Sequence, residues 1–541
     1  MDCFEPGQEA SRTLISGPST FVFRHVEGGF PSKWTGVWRP PYKVLDYLSY
    51  RVNGQWLTAN NLKSVQTGTE DRRTHILDSL HVTEITAPRH DGITERLLIE
   101  NNTTEPKAVT AAMELGVDIR HQSQDIGPKE YNTEYKANQL VFSKPEQSLT
   151  LESEGFSLEG SERMKEHFPG ERQRALVPPK LRFNRTVQPK SSTEVKMYLR
   201  TDAPEDAARP AIDTAETGFS EAEEHAAREL EKLCFSTRGR GVAAGLPWFQ
   251  DYWTRDMLWA ALGLLEAGAH RFVAGILENL ARRGLPGRIG TDDDHPRDDT
   301  EPLFIVACDR LSRNANLSPR LQNSCEDAMT ELEMNGGLAE HHPKGTWMDT
   351  ERRRNAVEIQ SLWLEAAEAM DDPRAAELRS GLESFVQDKA MYDTAERQRK
   401  TANAAVPLMF GQLNEETARP VLRDLNSELA SEHGARTLSH LDPDYDPSGY
   451  HTGSSWGLTT WWLSAANLRY GMDTRGKALM RNFLHHQGRG VPGALPEAID
   501  SDTGELVGCH SQAWSNAGLI HLCHRHLQDT GQREPRPRNK A

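Results

Sequence analysis

Residues 245–259, Gly-Leu-Pro-Trp-Phe-Gln-Asp-Tyr-Trp-Thr-Arg-Asp-Met-Leu-Trp, gather three tryptophans, a tyrosine, an arginine and two carboxylates in one short stretch. Aromatic rings such as Trp248 and Trp253 can stack on the apolar face of a pyranose. Charged planar groups such as Arg255 and Asp256 can make paired hydrogen bonds to adjacent hydroxyls. The plainer reading of the same string is an aromatic core turn with a structural Arg–Asp pair. An apolar run from Met257 to Ala267, closed by Gly268, follows it and predicts a helix. The stretch therefore reads as a loop that delivers polar groups and then becomes a helix.

Four later loops share this composition. Asp292 to Glu301 is acidic and precedes a helical pattern, where Asp298 to Thr300 are placed to cap the helix. His341 to Thr350 carries Trp347 and Asp349 and leads to Glu358 on a helix. Asp444 to Gly453 holds Tyr450 and His451 and is followed by Trp456. Gly493 to Ala498 holds Glu497, and Gln512 and Trp514 then open the last helical pattern. Taken singly, each loop fits ordinary aromatic packing with solvated carboxylates.

Taken together, they fit glycoside hydrolysis. That reaction needs two carboxyl groups across the scissile bond, one protonated and one ionised, between walls that exclude water. Asp349 follows Trp347-Met348, an apolar neighbourhood that would keep a general acid protonated. Glu497, between Pro496 and Ala498, is a carboxylate that no helix accounts for. With 79 acidic residues in the chain, spacing alone does not single out this pair.

Two kinds of element must position these loops. Residues 1–205 read as β: short alternating runs such as Ile93 to Glu100 and Ser192 to Leu199 are separated by turn residues such as Asn53-Gly54, which predicts a β-sandwich. Residues 28–41 stand apart, too rich in Gly, Pro and Trp for a strand interior. They read either as a packing loop or as an aromatic loop reaching a neighbouring domain. Residues 206–235 turn to Ala and Glu and read as a helical linker. Residues 236–530 read as helix after helix, about ten to twelve joined by loops long enough to be functional, which suggests a closed helical barrel. Residues 531–541 form a basic tail.

Composition narrows the function. A net charge of −16 over 541 residues argues against nucleic-acid binding, which needs a basic footprint. The six cysteines show no CxxC spacing, so free thiols in a reducing compartment are expected. The start has no basic or apolar signal region, and no run of apolar residues reaches membrane-spanning length. A cytoplasmic enzyme without membrane partners is the expectation. His521, Cys523, His524 and His526 point to several faces of a helix with no carboxylate to complete a geometry, so neither a metal nor another cofactor is expected. The oligomeric state is left open.

The segment 245–530 resembles the amylo-α-1,6-glucosidase domain of glycogen debranching enzymes. The family's Pro-Trp-Phe and Trp-Gly-Arg-Asp are similar to Pro247-Trp248-Phe249 and Trp253-Thr254-Arg255-Asp256. Its Gly-Thr-Trp-Met-Asp is intact at Gly345 to Asp349, and its Val-Glu-Ile is Val357-Glu358-Ile359. Its Tyr-His-Gln-Gly resembles Tyr450-His451-Thr452-Gly453, and its Pro-Glu and Gln-Ala-Trp-Ser match Pro496-Glu497 and Gln512 to Ser515. The resemblance implies an (α/α)6 barrel behind an N-terminal β-sandwich of the prokaryotic kind. It implies an inverting reaction with Asp349 as general acid and Glu497 as general base. Arg255 and Asp256 correspond to the family's grip on the terminal glucose. Trp248, Trp253, Trp347, Glu358, Tyr450, His451, Trp456, Gln512 and Trp514 are the further expected substrate contacts. The expected substrate is a branched α-glucan, glycogen or limit dextrin, cleaved at α-1,6 stubs.

Thr254 stands where the family has Gly, and Thr452 where it has Gln, changes that bear on the subsites. No stretch resembles the glucanotransferase domain of the two-activity enzymes, so transfer is not implied. A glucoamylase- or trehalase-like exo-glucosidase and a non-catalytic carbohydrate-binding protein on the same scaffold remain the alternatives.

Overall fold

A computed structural model describes residues 2–4, 12–26, 28–30, 32–124, 131–136, 139–145, 147–154, 157–159, 180–289, 297–395 and 398–528. Loop residues 292–296 and the tail 531–541 lie outside the described residues. The chain divides into two compact units. One holds residues 1–209 with 235–238 and 489–492, and the other holds 210–234, 239–488 and 493–541.

The first unit is built from two antiparallel sheets. One runs, in spatial order, Asp2–Phe4, Leu62–Thr67, Asp71–Leu77, Leu80–Arg89, Gly92–Asn101, Ser191–Thr201, Gln147–Glu154, Gln139–Lys144 and Asn132–Lys136. The other runs Ser157–Glu159, Lys180–Val187, Lys107–His121, Tyr42–Val52, Gly36–Arg39, Phe21–His25 and Arg12–Ser16, with Gln55–Trp56 also paired to Tyr42–Val52. Alternation is the reason. Along Gly92–Asn101, Ile93, Leu97 and Ile99 share one face and are buried, while Thr94, Arg96 and Leu98 face the other way. Side chains from both sheets, among them Leu45, Leu48, Val82, Leu97 and Met197, close one continuous core. This is the sandwich arrangement that the alternation predicts. Asn53-Gly54 joins Val52 to its partner Gln55 as a two-residue hairpin. The stretch 28–41 differs from expectation, because it contains the strand Gly36–Arg39. Trp38 on that strand is buried and stacks on Phe21 at 6.1 Å.

The second unit is helical. Its α-helices among the described residues are α1 (Ser220–Leu233), α2 (Thr254–Glu266), α3 (His270–Ala281), α4 (Thr300–Ser312), α5 (Pro319–Thr330), α6 (Val357–Ala369), α7 (Ala375–Glu383), α8 (Ala405–Phe410), α9 (Glu415–Leu429), α10 (Gly457–Arg469), α11 (Asp473–Leu484) and α12 (Ala513–Leu522). Two classes are evident in their sequences. Every residue of α2 from Thr254 to Leu265 is buried, and α4, α6, α10 and α12 are nearly as enclosed. Helices apolar on all sides must sit inside. By contrast, α5, α9 and α11 bury one stripe and leave a charged face to solvent. The enclosed helices and α8 pack in a cycle: α2 on α4, α4 on α6, α6 on α8, α8 on α10, α10 on α12, and α12 back on α2. The others attach to this cycle, α3 on α2 and α4, α5 on α4, α7 on α6, α9 on α8 and α10, α11 on α10 and α1 on α12. The stretch 206–235 is thus helical only over α1, which packs as part of the second unit. Among the described residues no helix is long and apolar enough to cross a membrane.

Candidate active site

The N-terminal ends of α2 and α12, the loops before α6 and α10, and Glu497 line one cavity of about 240 Å³. This volume lies just under the usual range of small-ligand pockets, about 300–1,000 Å³. A helix N-terminus carries unsatisfied N–H groups and partial positive charge, which helps hold carboxylates there. Three carboxyl groups, Asp256, Asp349 and Glu497, and one guanidinium, Arg255, are in the lining.

Glu497 is buried and tethered at both oxygens. Tyr450 donates its phenolic O–H to Oε1, and the backbone N–H of Cys509 donates to Oε2 at 2.7 Å. Burial pushes the Glu497 carboxyl up to about 7. The two donors oppose that shift, and the nearby Asp349 adds to it. Gly508 allows the fit, since a Cβ there would lie 2.5 Å from Glu497 Oε2. Asp349 is placed differently. Its side chain is 30% exposed, and its Oδ2 lies 3.6 Å from Arg255 Nη1. The apolar enclosure expected around Asp349 is found around Glu497 instead.

Arg255 and Asp256 open α2. Arg255 Nη1 donates to the carbonyl of Thr346, and Nε lies 3.5 Å from Asp299 Oδ2. Asp256 is buried and accepts from Gln512 Nε2 at 3.0 Å. Burial raises the Asp256 carboxyl well above its ordinary value, with Glu497 and Asp299 adding to the shift and Arg255 opposing it.

Aromatic rings make the walls. Trp347 packs edge-on against His451 at 5.2 Å and Trp456 at 5.3 Å, and Trp514 lies 5.8 Å from Trp456. Tyr450 sits 4.6 Å from Trp456. Trp253 completes the lining, with the Arg288 guanidinium over its ring at 4.7 Å. Several of these rings have their polar tips fixed. Trp347 Nε1 donates to Asn403 Oδ1 at 2.7 Å, and Trp456 Nε1 to the carbonyl of Tyr450 at 2.7 Å. His451 pairs through Nδ1 with Thr350 Oγ1 at 2.7 Å. Burial, aided by Arg353 and Arg255, lowers His451 to about 3, so the ring is neutral at physiological pH.

Three expected contacts are not in the lining. Trp248 packs on His510 at 5.6 Å. Gln512 reaches the cavity only through Asp256. Glu358 is enclosed in a buried ion-pair knot. Arg353 forks onto both its oxygens, with Nη1 to Oε2 at 3.2 Å, and also reaches Asp393 Oδ1 at 2.9 Å. The same guanidinium donates to Thr346 Oγ1, and Asp393 accepts from Asn403 Nδ2 at 2.8 Å. The knot therefore braces the loop that carries Trp347 and Asp349. Sequence reasoning missed Ala244 and Phe249, which line the cavity, and Asp299, which lies behind Arg255. Phe249 was within the quoted aromatic string and could have been found there.

The five described cysteine side chains are buried thiols, and no group of His, Cys, Asp and Glu among the described residues is arranged to hold a metal ion.

Comparison with known proteins bears on this site. No curated protein matches the chain in sequence. A bacterial glucoamylase complexed with acarbose is similar in fold over 97% of this chain and 97% of its own, at TM-score 0.58 and 12% identity. A GH63 mannosylglycerate hydrolase from Thermus thermophilus, in complex with glucose, covers 56% of this chain and 99% of its own, at TM-score 0.45 and 15% identity. The fold is thus one shared with glucoamylase, a β-sandwich-like part followed by a helical part. Residues 350–515, which hold Tyr450, His451, Trp456, Glu497 and Trp514, match the family model of the mannosylglycerate hydrolase MGH1-like glycoside hydrolase domain. The chain carries a glycoside hydrolase domain.

Proposed function

We propose that this chain is an exo-acting, inverting glycosidase that releases glucose from a neutral α-glucan, and that the α-1,6 stubs of limit dextrin or glycogen are its substrate. The observation that carries the glycosidase reading is the pair of carboxyls in one tryptophan-walled cavity, Glu497 buried and tethered, Asp349 open; the roles given to the two follow the resemblance of their motifs, since burial alone would favour Glu497 as the protonated partner. We read the cycle of α2, α4, α6, α8, α10 and α12 as the inner ring of an (α/α)6 barrel. In this reading ionised Glu497 takes a proton from water, the oxygen of that water attacks the anomeric carbon, and Asp349 gives its proton to the departing glycosidic oxygen. A base with a midpoint near the working pH combines availability with driving force. Arg255 and Asp256 hold hydroxyls of the terminal sugar, and the tryptophans exclude water.

A second reading follows from the family model, whose name describes hydrolysis of mannosylglycerate. Its anionic aglycone would meet three carboxyl groups and a guanidinium that already faces two carboxylates. That balance favours the neutral substrate. The test is sugar release from limit dextrin, isomaltose, maltose, trehalose and mannosylglycerate. Glucose from limit dextrin at the highest kcat/KM supports the proposal, and mannose from mannosylglycerate at the highest kcat/KM overturns it.

A further inference from the structure

Asp299 occupies the position before the first turn of α4, where an aspartate normally accepts hydrogen bonds from its helix's N–H groups. Its side chain makes no such cap. It is buried at 2% exposure and turns to Arg255, with Oδ2 3.5 Å from Nε, while Oδ1 has no hydrogen-bond partner. An aspartate that forgoes its cap and leaves one buried oxygen unpaired is held there by something else. The Arg255 guanidinium also donates through Nη1 to the Thr346 carbonyl and lies 3.6 Å from Asp349 Oδ2.

We propose that Asp299 is a positioning residue: it holds Arg255 by the Nε edge and so keeps the guanidinium from closing on Asp349. The inference rests on the proposed role of Asp349 as proton donor. An arginine closed on that carboxylate would hold it ionised and block proton donation. A shared arginine can serve sugar hydroxyls while Asp349 stays available. Asp299 faces Arg255 and Asp256 from α2, Asp298 from its own loop, Glu301 from α4 and Glu358 from α6. Asp349 faces Arg255 and Glu497. Burial, with Asp298 and Glu358 adding and Arg255 opposing, brings Asp299 up to about 6, so the hold exists above that pH.

Two measurements test this, one without turnover. In ¹⁵N-labelled protein the Arg255 Nε–H resonance, assigned by its loss in R255K, should shift with a midpoint near pH 6, keep a titration in D299E and lose it in D299N. A resonance that titrates the same way in D299N overturns the proposal. In kinetics, D299N should move the alkaline limb of kcat down by about one pH unit, with KM changed less than kcat, and D299E should restore most of it. A limb that stays in place in D299N also overturns it. The controls D349N and E497Q separate the two levels. If both keep wild-type activity, the reading of the site is wrong. If both are inactive and the D299N limb does not move, only the positioning role is wrong.

Discussion

Tyr450 donates a hydrogen bond from its hydroxyl to Oε1 of Glu497, and both side chains line the cavity. Burial and the neighbouring Glu497 raise the Tyr450 phenol, so it stays a donor at any working pH. A donor to a carboxylate favours its charged form. Tyr450 thus offsets part of the burial that pushes Glu497 up to about 7.

Tyr450→Phe removes that donor and keeps the ring against Trp456. The Glu497 carboxyl should rise further, and the acidic limb of kcat/KM should move up by about one pH unit. Activity at pH 7 should fall several-fold and recover at higher pH. The pH–rate profile checks this, and an unmoved acidic limb would mean that Glu497 does not set it.

The same burial makes stability depend on pH. Glu497 binds its proton more tightly in the folded protein, near pH 7, than at its ordinary value of 4.5. Its contribution is fully present below pH 4.5 and is lost as pH rises through about 7. Asp299 at about 6 and Glu301 at about 7 have the same sign. Buried His451, His521 and His526, all lowered, have the opposite sign, so the quantity to follow is the stability at pH 5 less that at pH 8, from denaturant unfolding. In Glu497→Gln that difference should shrink by about 1–3 kcal/mol.

Glu358 supplies a contrast between binding and bracing. In the Arg353 knot, Glu358→Ala leaves a buried guanidinium short of a partner and should cost about 3–5 kcal/mol of stability. KM should hold near its wild-type value at temperatures where the variant is folded. A raised KM with unchanged stability would return Glu358 to the substrate.

These residues show how far the site was legible from sequence. Asp349 and Glu497 stood out because each sits in a loop with tryptophan or proline and no helical duty, and the motifs kept their order. Asp299 did not, because an aspartate before a helix looks the same whether it caps the helix or pairs with an arginine. Glu358 read as a sugar contact through the Val357-Glu358-Ile359 resemblance, and nothing in the run Arg352-Arg353-Arg354 marks a partner for it. Only folding shows that its middle member is buried. The strand Gly36–Arg39 was hidden by flanking Gly and Pro. Helix α9 was obscured by Pro420, which reads as a breaker. The alternating strands and the apolar enclosed helices were legible because their periods leave one way to bury them.

In the proposed reaction Asp349 donates the proton and Glu497 activates the water, and a leaving group that needs no proton separates the two roles. α-D-Glucosyl fluoride departs with little acid assistance, whereas dextrin does not. Asp349→Asn should lose about 10²–10⁴-fold on limit dextrin and retain most of its activity on the fluoride. Glu497→Gln should lose activity on both. Equal losses on both substrates for the two variants would contradict the assignment, and the reverse pattern would exchange the two roles.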